Sequence, residues 1–152
     1  MTDRSEIKMP PKSGVPGFDP ARFIARFGGA GHSGLVGLRY VAHDVGSVEL
    51  MIPYQPDLQV GPEPGVMADG AWVTLLDMAG TLAVWTRFGE FRPHATIDLR
   101  VNHLHPPRPG AEIVARAHCD PIASKIASVH GMVSNAPDHD IAMFLASYMF
   151  TE

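Results

Sequence analysis

Between Ala71 and Trp85, fourteen of fifteen residues are apolar, glycine or threonine, and the fifteenth is Asp77. A run this long predicts a helix, here over Gly65–Arg87, rather than a strand. It is apolar on every side, so it should be buried all round. About nineteen of these residues, at ~1.5 Å each, already span roughly 28 Å, the diameter of a small domain. The run is too short to cross a bilayer, and an acid sits at its centre. Whatever else the chain forms has to wrap around this rod.

An ionised carboxylate buried without partners is very costly, and amides in mid-helix are already taken. Asp77 must therefore be hydrogen-bonded, neutral, or facing a cleft. Thr81 at i+4, Thr74 at i−3 and Gly70 at i−7 share its face, and Gly80 keeps the wall beside it low. The expected surroundings are small, polar and concave, with Trp72, Leu75, Leu76, Ala79 and Ala83 packing elsewhere. A structural aspartate with a bonded partner fits these residues. So does a carboxylate placed in a cleft for chemistry.

Residues 1–20 carry Pro10, Pro11, Pro16 and Pro20 among Lys, Gly and Ser, which predicts a flexible N-terminal arm ahead of a single domain over 21–152. Asp19 followed by Pro20 reads as a helix start, with Phe23, Ile24 and Phe27 facing inward and the glycines after it ending the helix. This small helix should lid one end of the core. Alternation on either side of a turn at 44–46 predicts a hairpin, Leu38–His43 with Ser47–Pro53. Residues 54–66 hold three prolines and two glycines and read as a long irregular loop. After the rod, His94–Leu104 alternates strictly and reads as a half-buried strand. Three more strands are expected at Ala111–Cys119, Ile126–Val133 and Ile141–Phe150. The order ββ-α-ββββ points to an antiparallel meander curled around the helix, an α+β architecture. Its open edges need pairing, and 95–104 is the candidate edge.

One domain with a real core fits 152 residues. A net charge of −4 gives no reason to expect nucleic acid as a partner. The single Cys119 excludes an intrachain disulfide and fits a reducing compartment. The first residues lack the apolar core of a signal peptide. No membrane partner is expected, and the expected location is cytoplasmic.

The stretch G70-A-W-V-T-L-L-D-M-A-G80 and the later T96-I-D-L-R-V-N-H-L-H-P-P-R-P-G110 carry a resemblance over roughly residues 36–151. They resemble the helix and the strand-turn of hotdog-fold acyl-CoA thioesterases of the PaaI-like, phenylacetic-acid-pathway type. That resemblance implies a hotdog fold: an antiparallel six-stranded sheet wrapped around a long central helix. It implies hydrolysis of an acyl-CoA thioester with Asp77 as nucleophile or general base. It also implies a backbone amide of Asp69 or Gly70 polarising the carbonyl, which the helix dipole favours independently. Thr96 and Thr81 match assisting hydroxyls. No cofactor is implied, and the expected assembly is a homodimer that pairs into a homotetramer. Many relatives have His-Gly-Gly where this chain has Ala68-Asp69-Gly70. The second carboxylate opposes a developing oxyanion, unless Asp69 simply caps the helix.

CoA carries phosphates, and Arg108 and Lys125, in turns after the helix, are the candidate contacts. His94, His103 and His105 invite a metal reading, since residues two apart on a strand share a side, but no cysteine or acid completes a familiar spacing. No G-x-S-x-G or phosphate loop is present. A non-catalytic acyl-CoA or lipid-binding hotdog protein remains open, as does a hotdog dehydratase or hydratase. The sequence does not give the acyl group.

Overall fold

The computed structural model describes residues 17–122 and 124–150. Its elements in chain order are α1 (Pro20–Phe27), α2 (Gly31–Leu35), β1 (Arg39–Asp44), β2 (Ser47–Ile52), a 3-10 turn (Pro56–Leu58), β3 (Gln59–Val60), β4 (Val66–Met67), α3 (Asp69–Phe88), β5 (His94–His103), β6 (Ile113–Cys119), β7 (Ile126–Ser134) and β8 (Asp140–Phe150).

The rod is α3, and it starts four residues later than expected. Gly65 is buried in the approach and Val66–Met67 pairs with Gln59–Val60 in a small ladder, so the irregular loop is partly ordered. Ala68, not Asp69, stands at the cap, and it makes no side-chain capping bond. The capping role expected for Asp69 is therefore not the one it takes: Asp69 is the first helical residue and is exposed. Gly89 closes the helix in the left-handed conformation, φ 70°, with its N–H on the Thr86 carbonyl, where a side chain would be strained.

Burial around α3 is uneven, which corrects the expectation of a rod enclosed on every side. Leu82 to Thr86 are all buried. Between Gly70 and Thr81, Gly70, Val73, Thr74, Asp77, Met78 and Thr81 form a stripe that is exposed or half-buried. These positions recur every three to four residues and lie along one side.

The six long strands form one sheet in the order β1-β2-β6-β7-β8-β5, and every neighbouring pair is antiparallel. β6, β7 and β8 form the expected meander. β5 departs from it: the chain carries it to the far side, where it pairs with β8 rather than with β6, so it is an edge as anticipated. An edge strand has a partner on one side only, and β5 is correspondingly open: Ala95 to Asp98 are exposed on both faces, and Ile97 keeps 51% of its surface. It is less buried than its alternation implied. The ladder with β8 carries an irregularity between Thr96 and Asp98, a bulge of the kind that re-aims side chains.

The core fills the concave side of the sheet: Leu50, Ile52, Leu75, Leu76, Leu82, Ile113, Ile141, Phe144 and Tyr148 are essentially inaccessible. At the far end of α3, Arg87 donates from Nη2 (2.7 Å) and Nε (3.2 Å) to the Cys119 carbonyl, and Thr86 Oγ1 accepts the Gly46 amide at 3.0 Å. These bonds latch the helix end to the sheet. α1 lies beside this end as the expected lid. Asp19 caps it by accepting the Arg22 amide, and Phe23 meets the Trp85 ring edge-on at 5.3 Å. α2 was not anticipated from the sequence. Of the expected N-terminal arm, residues 1–16 lie outside the described residues. Phe18 packs against Trp85 at 5.3 Å and Pro20 is already helical. No helix among the described residues is long and apolar enough to cross a membrane.

Cys119 ends β6 in the core. Burial pushes its thiol up to about 11, with the Arg87 charge opposing. Iodoacetamide at pH 8 should therefore leave the folded protein unmodified and label it once denatured, since the thiolate is the reactive species. The neutral thiol's contribution to stability is full below the free-thiol value of 9.0 and is lost as pH rises through about 11.

Candidate active site

Asp77 sits half-buried in the middle of the open stripe of α3. Thr96, from β5, donates its hydroxyl to Asp77 Oδ1 at 2.8 Å. One helical turn along, Thr81 Oγ1 and His94 Nε2 are 3.2 Å apart. The two contacts share a simple geometry. Four residues of helix rise ~6 Å, and two residues of strand rise ~6.6 Å. β5 running against α3 therefore sets His94 on Thr81 and Thr96 on Asp77 with one phase of the strand.

Tyr148 on β8 closes the inner wall. Its hydroxyl donates to the Asp77 backbone carbonyl at 3.2 Å. Gly80 is what admits it: a Cβ there would stand 2.1 Å from that oxygen. The low wall expected beside Asp77 is thus a notch filled by the tyrosine, and the carboxylate opens away from it. Burial, and next the Asp77 charge, push the Tyr148 hydroxyl far above its ordinary value, so it stays a neutral donor.

The start of α3 forms the second part. The first amides of a helix have no carbonyl one turn back to accept them; here Ala71 N–H turns to the Ala68 carbonyl at 3.0 Å. Gly70 is exposed, with nothing within 4 Å of where a Cβ would stand. Asp69 Oδ2 lies 3.7 Å from His103 Nε2, and the His103 ring packs at a tilt against Trp72 at 5.4 Å. An imidazole thus faces the carboxylate that departs from the relatives' pattern. Both groups are largely exposed, so the pair is worth little energetically. Gly70 and Asp77 are seven residues apart, about 10.5 Å along the axis, so the structure does not bring amide and acid together within one protomer.

Arg108 stands in a turn organised by a residue the sequence reading passed over. Asn135 is buried. Its side chain accepts the Arg108 amide and donates toward the carbonyls of Arg108 (3.3 Å), Ala111 (3.5 Å) and Glu112 (3.3 Å). Gly110 N–H then bonds the Gly65 carbonyl at 2.9 Å, which docks the turn on the segment leading into α3. Lys125 lies beyond the opposite end of β6, where its carbonyl accepts the Phe150 amide at 3.0 Å. β6 alone is seven residues long, or ~23 Å, so Arg108 and Lys125 do not converge in one protomer. The histidines of the H-x-H pair have separate engagements: His103 faces Asp69, and His105 Nδ1 lies 2.8 Å from the Asp140 carbonyl oxygen. Among the described residues, no three His, Cys, Asp or Glu side chains gather as metal ligands.

Residues 64–142 match the model of the thioesterase superfamily. This chain belongs to the thioesterase superfamily. The match runs from the segment before α3 to the start of β8 and includes Asp77, Thr96 and the Arg108 turn. Solved structures similar to this superfamily member include a Pseudomonas aeruginosa protein at 26% identity, covering 86% of this chain and 96% of that one with a TM-score of 0.73. A thioesterase from Haemophilus influenzae is 18% identical and covers 90% of this chain and 94% of that one, TM-score 0.77. The E. coli PaaI protein from the phenylacetic acid degradation operon is 14% identical and covers 79% and 83%, TM-score 0.69. Agreement at these identities is agreement of fold, and the fold is the hotdog arrangement, a sheet wrapped around one long helix. No curated protein matches the sequence.

Tyr148 and Asn135 are the site's unforeseen members, and His94, weighed in the sequence only as a metal ligand, is found on Thr81 instead. Tyr148 was signalled only by Gly80, a helix-breaking residue retained inside a helix, and Asn135 only by its place in a Pro- and Asp-rich turn.

Proposed function

We propose that this protein is an acyl-CoA thioesterase in which Asp77 attacks the thioester carbonyl or activates the water that does. The observation that carries the reading is the Asp77 carboxylate itself. It is half-buried on the one open stripe of an otherwise enclosed helix and fixed by Thr96 at 2.8 Å. The Thr96 hydroxyl spends its proton on Asp77, which leaves its oxygen free to accept a hydrogen bond from the incoming water. If Asp77 attacks directly, an acyl–carboxylate anhydride forms as the C–S bond breaks, and water then cleaves the anhydride. If it acts as general base, it takes the water's proton, and the CoA sulfur is protonated as it leaves.

The oxyanion needs a donor close to the carbonyl oxygen. Direct attack needs the carboxylate within ~3–3.5 Å of the carbonyl carbon. A 10.5 Å rise between Asp77 and the Gly70 amide is too long for both in one chain (about seven residues of helix). The amide of Asp69 or Gly70 therefore comes from a second copy, and the working unit is a homodimer. The unpaired edge of β5 and the open stripe of α3 supply the surface for it. Ile126, Met143, Leu145 and Met149, exposed on the outer face of the sheet, supply apolar surface for further pairing into a tetramer. Arg108 is the stronger candidate for the CoA phosphates, because its turn is bonded to the segment leading into α3; Lys125 is the weaker.

Release of free thiol from a panel of short, long and aromatic acyl-CoAs tests the proposal, and turnover of at least one is expected. The second reading is an acyl-CoA-binding protein without turnover, favoured by the Asp69 carboxylate beside the polarising amides. Tight binding of the whole panel with no thiol released would decide for it. A hydratase of this fold needs a histidine in the loop leading into the helix, and residues 54–66 hold none.

A further inference from the structure

His94 opens β5, two residues before Thr96 on the same face. Its ring is packed edge-on against Tyr148 at 5.0 Å and Phe150 at 5.8 Å and lies against Trp85 at 5.5 Å. Nδ1 is buried and has no hydrogen-bond partner among the described residues. The Arg92 carbonyl, which accepts Trp85 Nε1 at 2.8 Å, lies close enough to favour the protonated ring but makes no hydrogen bond of proper geometry to Nδ1. A buried ring nitrogen left without a partner is a cost that leucine or phenylalanine would not incur. What the imidazole adds is its other nitrogen, Nε2, 3.2 Å from Thr81 Oγ1.

That contact falls at the start of β5, where the strand is paired on one side only, with β8. The strand is an edge, its residues 95–98 are exposed, and its ladder is irregular immediately after Thr96. Without the His94–Thr81 contact, Thr96–Asp77 would be the one hydrogen bond between β5 and α3 among the described residues, the other ties being the Trp85–Arg92 bond just before the strand and the His103–Asp69 contact at its far end. We propose that His94 is a positioning residue for the reaction at Asp77: through Thr81 it pins the start of β5 so that the Thr96 hydroxyl stays on the Asp77 carboxylate. This inference rests on the reading of Asp77 as the reacting acid.

The pin works with a neutral ring. With Nε2–H donating to Thr81, protonation puts a hydrogen on Nδ1, whose one nearby acceptor, the Arg92 carbonyl, is not in hydrogen-bond geometry, and a poorly satisfied buried donor is destabilising. The titratable groups facing the ring are Asp77 from α3 and Tyr148 from β8; burial holds the ring below its ordinary value, outweighing the Arg92 backbone and the Asp77 charge, which both favour protonation. In acid the pin therefore fails as pH falls below the free-histidine range and through that lowered value.

The test compares wild type with His94→Ala, His94→Gln and Asp77→Asn, measuring kcat and KM for an acyl-CoA against pH and hydrogen exchange at amides 95–97. His94→Ala should lower kcat about tenfold to a hundredfold, the scale of a misplaced group, with KM nearly unchanged and faster exchange at 95–97. His94→Gln, which can still donate to Thr81, should restore much of the lost kcat and the slow exchange, and lose the acid limb due to the imidazole. Wild-type kcat and exchange in His94→Ala, with Asp77→Asn inactive, would overturn the inference and leave the Asp77 reading standing. Equal turnover by Asp77→Asn and wild type would overturn that reading and the inference with it. If His94→Ala does not fold, His94→Gln decides: an acid limb identical to wild type overturns the proposal.

Discussion

Replacing Asp77 by asparagine should reduce acyl-CoA hydrolysis by about 10²–10⁴-fold, the usual contribution of a positioned base, while leaving the fold intact. Asparagine matches the carboxylate in shape, and its amide oxygen still accepts the Thr96 hydroxyl that Asp77 Oδ1 accepts at 2.8 Å. The Tyr148 hydroxyl bonds the backbone carbonyl at this position, not the side chain, so the inner wall is unaffected. What is lost is the negative charge and the basic lone pair, the two properties that hydrolysis needs. Thiol release from the acyl-CoA panel, beside a thermal melt of each protein, separates the effects. A variant with the wild-type melt and wild-type rates would show that Asp77 is a structural acid.

Gly80→Val should destabilise the protein by about 3 kcal/mol, at the upper end of overpacking costs, or roughly 6–12 °C in Tm for a chain of this size. Valine's Cβ alone would stand 2.1 Å from the Tyr148 oxygen and 3.0 Å from its Cζ. The far end of a side chain usually swings aside cheaply, but Tyr148 is fully buried, with His94 against its ring. Removing the oxygen should recover part of the loss. The double variant Gly80→Val with Tyr148→Phe is therefore expected to be more stable than the sum of the two single changes predicts, a coupling read directly from the cycle. Strict additivity would show that the notch and the hydroxyl are unrelated.

The parts legible in the sequence are those set by local pattern. The apolar run announced α3, Asp19-Pro20 announced α1, and strict alternation announced β5. Asp77 stood out because a charge inside an apolar rod has few acceptable explanations. The parts that stayed hidden depend on partners remote in the chain. Nothing local to β5 says that it pairs with β8 instead of β6. Tyr148 reaches Asp77 across 71 residues, and Asn135 reaches Arg108 across 27. The open stripe on α3 was legible in part: Gly70, Thr74 and Thr81 share the face of Asp77 by helical spacing, but that Val73 and Met78 join them in the open depends on where the sheet stops wrapping.

The step of a helical turn and the step of two strand residues differ by well under an ångström (~6 against ~6.6 Å). β5 is thereby keyed to α3 like a tooth to a rack. A slip of one residue would rotate imidazole and hydroxyl together to the opposite side of the ribbon. A slip of two the other way would hand the carboxylate an imidazole where it now holds a hydroxyl. The five residues joining α3 to β5, Gly89 to Pro93, are therefore a gauge whose length sets the chemistry on offer, even though none of them touches the reacting acid.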